Sequence, residues 1–313
     1  MLIIVGYLVI MFSVFGGFAL EGGNLYALFQ PFEFLIISGA ALGSFIIANN
    51  PKVIKATFRA FFSTFKGTNY TKTFYVQLLS LFYELTNKIR KDGVLAIEND
   101  VENYKESALF QNYPLMIKEH RFMEFFCDHL RLVITGRVDV HELELLMDED
   151  IETYHNEGEL PINAITKVAD SLPAFGIVAA VMGVVTTMGM IAGAPEELGA
   201  HVASALVGTF LGVLIGYGFT APIASILENR LNAEVTILQS MKVVLIASVH
   251  NLAPTIAVEF ARKVLYSGER PSSFELEAII RDIRSGGKAP GDAAAAEKKP
   301  ADTTQDPKSA EPT

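Results

Sequence analysis

Four runs of apolar residues, uncharged through their centres, set the terms for any fold this 313-residue chain can adopt. A helix over the first, Leu2 to Leu20, reaches about 28 Å at about 1.5 Å per residue, close to the hydrocarbon thickness of a bilayer. Met1 leads straight into Leu2-Ile3-Ile4-Val5 without a basic n-region, so the run reads as a membrane span and not as a cleaved signal peptide. The second run begins near Leu28, carries Gln30, Pro31 and Glu33 at its start, and is uncharged from Phe34 to Ala48; Glu21-Gly22-Gly23-Asn24 is the turn before it. The third and fourth runs, Ser171 to Ala194 and Val202 to Leu227, are separated only by residues 195–201, read as a short loop. With 50% hydrophobic and only 19% charged residues, the chain fits a membrane protein better than a soluble domain.

The basic residues orient the spans. Of the 25 Lys and Arg, 14 lie between Lys52 and Lys167 and 11 between Arg230 and Lys308, with none in either short loop. Under the positive-inside rule both short loops are outside, and the middle region, the tail and both termini are cytoplasmic; the net charge of −10 does not enter, because the rule counts Lys and Arg. The middle region repeats apolar residues at helical spacing: Leu78, Leu79, Leu81, Phe82, Leu85, Ile89, then Phe122, Phe125, Phe126, Leu130, Val133, Ile134. The fold expected is an all-α integral membrane protein of four transmembrane helices, with a helical cytoplasmic domain between spans two and three and a helical cytoplasmic tail. Its divisions are residues 1–49 (spans one and two), 50–167 (cytoplasmic domain), 168–228 (spans three and four), 229–285 (tail) and 286–313 (disordered, with nothing to bury). In the tail, Arg230 to Tyr266 reads as one long helix and Phe274 to Ile283 as a shorter amphipathic one. Nine acidic residues and no Lys or Arg from Asp139 to Glu159, and the cluster Lys88-Ile89-Arg90-Lys91, are solvated helix faces or a charged docking surface.

Small residues recur every fourth position in span four, at Ala200, Ser204, Gly208, Gly212 and Gly216, and a shorter set in span three at Ala179, Gly183 and Thr187. Such stripes let helices approach closely in lipid, within the chain or between subunits. Pro173 near the start of span three reads as a first-turn proline or as a working kink. Pro222, inside the cytoplasmic half of span four, removes a backbone hydrogen bond within an apolar run and should kink or break the helix. No Asp, Glu, Lys, Arg or His lies at the centre of any run; Glu33 and His201 stand at the outer edge and Asp170 at the inner edge. The polar groups at depth are Thr186, Thr187, Ser204, Thr209 and Tyr217, hydroxyls that commonly bond the carbonyl four residues back. If the chain conducts protons, the titrating carboxylate comes from a partner chain. The scattered histidines, single Cys127 and lack of a phosphate-cradling loop point to no enzyme, metal or cofactor site. A substrate transporter would need polar groups near the midplane. A passive scaffold would use the glycine stripe and tolerate loss of the prolines.

The chain resembles the MotA stator subunits of the bacterial flagellar motor, within the MotA, TolQ and ExbB proton-channel group. The carriers are Val14-Phe15-Gly16-Gly17, the run from Asp170-Ser171-Leu172-Pro173-Ala174-Phe175-Gly176 to Val185, Val207-Gly208-Thr209-Phe210-Leu211-Gly212, Ala257-Val258-Glu259-Phe260 and Ser267-Gly268-Glu269-Arg270-Pro271-Ser272. The resemblance implies five such chains in the inner membrane around two copies of MotB, which anchors them to peptidoglycan and supplies the membrane aspartate. It implies a cytoplasmic domain that drives the rotor protein FliG, with the proton gradient as the energy source and no cofactor. It places Pro173 and Pro222 on the prolines that couple proton flow to movement and Thr209 on the hydroxyl lining the path. Tyr217 is expected beside them, and Arg90 and Glu98 as the charged pair that engages the rotor, although Lys91-Asp92-Gly93 departs from the family in charge. Ala180 stands where sodium-driven relatives tend to carry an acidic or polar group, which implies protons as the ion.

Overall fold

A computed structural model describes residues 2–67, 70–189 and 195–286, and every regular element among them is helical. Span one is α1 (Leu2–Met11), a π-helical turn (Phe12–Gly16) and α2 (Gly17–Leu20) in continuous succession. After a 3₁₀ turn (Leu25–Leu28), span two is α3 (Pro31–Ala48), begun by a proline whose missing N–H is tolerated in a first turn. Asn50 then caps α4 (Pro51–Thr64), its side chain accepting from the Val53 N–H at 2.9 Å. The middle region contains α5 (Lys72–Asp92), a 3₁₀ turn (Val94–Ile97), α6 (Glu98–Glu102), α7 (Ala108–Gln111), α8 (Pro114–Lys118) and α9 (His120–Thr135). There follow α10 (Val140–Met188), α11 (Pro195–Val213), a second π-helical segment (Leu214–Thr220), α12 (Ala221–Val249), α13 (Pro254–Val264) and α14 (Ser273–Arg284). Four helical stretches are long and apolar enough to cross a membrane: Leu2–Leu20, Leu25–Ala48, and parts of Val140–Met188 and His201–Val249.

Several sequence expectations need correcting. Span three is the last part of a 49-residue helix that starts at Val140, so Pro173 stands deep in a helix interior and is not a first-turn proline. At about 1.5 Å per residue that helix runs more than 70 Å, over twice a hydrocarbon core, and its acidic first third extends the membrane segment into water. Residues 195–201, expected as a loop, begin α11. The long tail helix ends at Val249, because Asn251 takes a left-handed conformation (φ 56°) and Pro254 starts a new helix. Apart from Gly286, the expected disordered terminus lies outside the described residues.

The chain divides into two units, one from the described residues among 1–68 and 152–234, the other from those among 69–151 and 235–313; α10 and α12 contribute to both. In the first, Ile37 and Ala41 of span two pack with Leu172 and Ala179 of span three, joined by Leu211 and Ile215. Span one lies against span four, with no buried residue among those described: the Tyr7 hydroxyl donates to the Phe219 carbonyl at 2.9 Å, and Phe15 meets Phe210 edge-on at 6.2 Å. In the second unit, Leu78, Leu79, Leu81, Phe82 and Leu85 of α5 and Phe126 and Leu130 of α9 are fully buried, as their spacing predicted, while Ile89, Val133 and Ile134 form a half-buried rim. Segments read separately as cytoplasmic domain and tail share this unit: Tyr75 donates to Glu269 (2.8 Å), Lys72 pairs with Glu275 (2.7 Å) and Arg284 donates to the Tyr83 hydroxyl (2.7 Å).

Candidate functional site

Pro173 removes the N–H that would have bonded the Ala169 carbonyl four residues back. That carbonyl faces Gly216 of span four: a methyl group built there would lie 2.6 Å from the Ala169 oxygen and 3.0 Å from the Pro173 ring. The same relation repeats along both helices. A methyl group on Gly212 would come within 2.6 Å of the Leu172 carbonyl and 2.9 Å of the Gly176 Cα, and one on Gly176 within 2.8 Å of the Gly208 carbonyl. On Gly183 it would stand 2.7 Å from the Ala205 side chain. Spans three and four therefore meet backbone to backbone along Gly176, Gly183, Gly208, Gly212 and Gly216. Close Cα–H···O contacts of this kind contribute about 0.5–1 kcal/mol each, and the close approach is what small residues permit in lipid. The stripe of span four is thus occupied within the chain, while Gly39 and Gly43 of span two face open space.

Sequence-predicted residues gather on this seam unevenly. Pro173 touches Gly216, the Thr209 backbone lies against Gly176, and the Ala180 backbone against Gly208. Thr209 and Ala180 are half-buried, whereas Tyr217, expected with them, is 56% exposed and lies outside the buried seam. Thr186 and Thr187 bond the carbonyls of Met182 and Gly183 four residues back, as expected, at 3.0 and 2.8 Å. Ser204 departs from that habit and donates to Oε1 of Glu33 at 3.0 Å. The exposed face of span three carries Ile177, Val178, Val181, Met182, Val184 and Val185.

Pro222 is answered by a change of helical register and not by a break. Across Leu214–Thr220 the helix is π-type, and the Ala221 N–H donates to the Gly216 carbonyl five residues back. Widening the turn just before a proline relieves the clash of its ring with the preceding carbonyl, and such bulges concentrate at functional positions. Side chains occupy two of the carbonyls in this segment: Thr220 donates to Ile215 (2.9 Å) and Tyr7 to Phe219 (2.9 Å).

Arg90 and Glu98 belong to the other unit, exposed at the last turn of α5 and the first residue of α6. Gly93 ends α5 at φ 86°, a conformation that favours glycine, and its N–H closes onto the Ile89 carbonyl at 2.9 Å. Two residues before Arg90, Lys88 pairs with Asp100, two residues after Glu98, at 2.6 Å; Asp100 also accepts from Ser107 at 2.7 Å. This half-buried pair staples the ends of the turn and so positions both exposed charges. Arg90 also edges a groove of about 410 Å³ with Ile89, Val133, Val138, Val249 and Leu252. Lys88 stood in the basic cluster of the sequence, but its pairing with Asp100 was not foreseen, and the only signal for it was the symmetric spacing of the two about Arg90 and Glu98.

The tail motifs turn out to be structural. Buried Arg262 donates to Glu259 (2.6 and 2.7 Å) and to the Pro271 carbonyl (3.2 Å), which holds the Glu259 carboxyl below its usual range. Arg270 donates to the carbonyls of Arg262 and Lys263, and Ser272 with Glu275 forms a capping box for α14. Burial pushes the Cys127 thiol up to about 12, leaving it a small apolar filler.

Residues 4–93 match the family described as Motility protein A N-terminal, and residues 118–240 the MotA/TolQ/ExbB proton channel family. Motility protein A of Salmonella typhimurium is 48% identical over 285 residues, covering 91% of this chain and 97% of the relative. Among solved structures, MotAB of C. jejuni superposes with a TM-score of 0.72 at 19% identity, covering 85% of this chain and 95% of that one. The flagellar MotAB stator complex of Bacillus subtilis gives 0.68 at 22% identity, covering 82% and 92%. These two likenesses concern the fold, an all-helical membrane architecture, whereas the sequence identity to the Salmonella protein carries descent. The chain belongs to the Motility protein A family, within the MotA/TolQ/ExbB proton channel family.

Proposed function

We propose that this chain is the membrane subunit of a flagellar stator, which with a MotB partner forms a proton channel and turns proton flow into torque on the rotor. The observation that carries the reading is the seam itself: two proline-perturbed helices in close backbone contact, carrying Thr209 and Ala180 but no carboxylate at their centres. Such a seam supplies a narrow, deformable wall and leaves the titrating group to a partner, the aspartate of MotB. Pro173 leaves the Ala169 carbonyl without its helical donor and Pro222 follows a π turn, so each span holds a point where the ladder can rearrange at low cost. Five copies around two MotB chains, protons as the ion, the inner membrane as location and cytoplasmic termini complete the proposal. The basic residues support the orientation, and the proton gradient replaces any cofactor. Arg90 and Glu98, held out by the Lys88–Asp100 pair, are the charges that would engage FliG.

The test is proton flux into cells expressing the chain with and without MotB, comparing intact MotB with one whose membrane aspartate is asparagine. Flux only with the intact pair supports a shared channel whose titrating group lies outside this chain. Flux from this chain alone, or indifferent to that aspartate, overturns the proposal and favours a transporter.

A further inference from the structure

The outer end of the seam holds a carboxylate that the mechanism above does not use. Glu33 stands four residues before Ile37 and eight before Ala41, so it continues the stripe that span two buries against spans three and four. Ser204 of span four donates to Oε1 at 3.0 Å. Oε2 is wholly buried and has no hydrogen-bond partner among the described residues. A buried carboxylate oxygen without a donor is costly, and natural structures retain such an atom chiefly where it has work to do. This oxygen is enclosed by the chain itself, so a neighbouring subunit gives it no donor unless the helices rearrange.

We propose that Glu33 is a proton-relay residue at the outer mouth, taking protons from external water and passing them inward beside the helix pair toward Thr209. The inference rests on the channel reading and adds a second titrating station to it, contributed by this chain. In the step proposed, the outer helix ends open to admit water to Oε2, and an O–H bond of hydronium breaks as one forms at Oε2, leaving water and a neutral carboxyl group. That bond then breaks as the proton passes to water nearer the partner's carboxylate, restoring the anion, with no other change of charge or oxidation state. The Ser204 bond to Oε1 leaves Oε2 as the receiving atom and is given up when the carboxyl group turns. Because the terminal carboxylate torsion of glutamate is broad, rotation about it can turn a protonated oxygen from the outer side to the inner without moving the helix. Ser204 and Thr209 lie five residues apart on α11, about 7.5 Å along the axis, a gap that one or two waters bridge.

The experiment measures proton flux per assembled complex with intact MotB, reading cytoplasmic pH after an imposed gradient and quantifying complexes by pull-down. Three chains are compared: unchanged, Glu33→Gln, which keeps an acceptor for Ser204 but cannot carry a proton, and Glu33→Asp, which can. The expected result is a loss of flux of about tenfold in the Gln variant at unchanged assembly, with the Asp variant recovering part of it. Equal flux in all three would overturn the proposal, as would equal losses in Gln and Asp, which would make Glu33 a packing residue. If Gln also prevents assembly, the Asp variant decides alone: assembled Asp complexes whose solvent deuterium isotope effect exceeds that of the unchanged chain support a relay, and an unaltered effect overturns it. Absence of MotB-dependent flux in the unchanged chain would instead refute the channel reading beneath it.

Discussion

Glycines that look alike in the sequence do different work. A methyl group on Gly212 would stand 2.6 Å from the Leu172 carbonyl, and the obstacle is backbone, which cannot swing aside as a side chain can. Gly43, also on a span and also in a small-residue pair, has nothing within 4 Å. Gly212→Ala should therefore destabilise the membrane unit by about 1–3 kcal/mol, the usual cost of overpacking, and Gly43→Ala should change stability by no more than about 0.5 kcal/mol. Thermal aggregation of the detergent-solubilised chain, followed for both variants, checks the contrast; equal shifts would mean that the seam loosens without penalty. The periodicity of the stripe was legible in the sequence, but its partner was not, because a row of small residues is compatible with any helix that can reach it. Glu33 teaches the same lesson: its place near the membrane edge was readable, and its bond to Ser204, 171 residues away, was not.

At the scale of elements, two short devices decide how functional segments are held. The turn between α5 and α6 is closed by the Lys88–Asp100 pair, whose side chains are 34% and 15% exposed. Lys88→Met removes the staple without touching Arg90 or Glu98. It should lower motor torque in tethered cells in the same direction as Arg90→Glu, but only the Arg90 variant should be partly rescued by reversing a charge on the rotor partner, since charge complementarity between partners belongs to the exposed residue. Rescue of both would assign the contact to Lys88 itself. The second device anchors α14. Lys72 and the capping box hold the exposed Glu275 carboxyl down at about 2, against an ordinary 4.5. A lowered carboxyl contributes its stability above its ordinary value and loses it as pH falls through the folded one, so the docking of α14 should weaken between about pH 4.5 and 2. Hydrogen exchange of the α14 amides, relative to intrinsic rates, should rise over that window, and Glu275→Gln should show the loosened state at neutral pH. A flat profile in the unchanged chain would remove the carboxylate from the anchor. Helix existence was foreseeable for α5 and α9, whose apolar spacing is regular. The breaks were less so, since Asn251 and the π segments answer local backbone demands and leave no period to detect.

For the whole molecule, the basic residues make a prediction that the helices alone do not. In a Cys127→Ser background, Asn24→Cys should react with a membrane-impermeant thiol reagent in spheroplasts, and Glu149→Cys only after the membrane is opened. The reverse pattern would invert the orientation and with it the side from which Glu33 could collect protons. Four spans, the all-helical class and the lack of a central carboxylate were determined by the sequence itself. Burying unpaired backbone or charge in lipid is so costly that composition alone selects helices and excludes charges. The tertiary structure decided the rest: that Pro173 lies deep inside a 49-residue helix, that the Ala169 carbonyl it orphans meets Gly216, and that the tail packs with α5. These depend on which surfaces meet across more than forty residues of chain, and helical periodicity reports which face is apolar but not what will cover it.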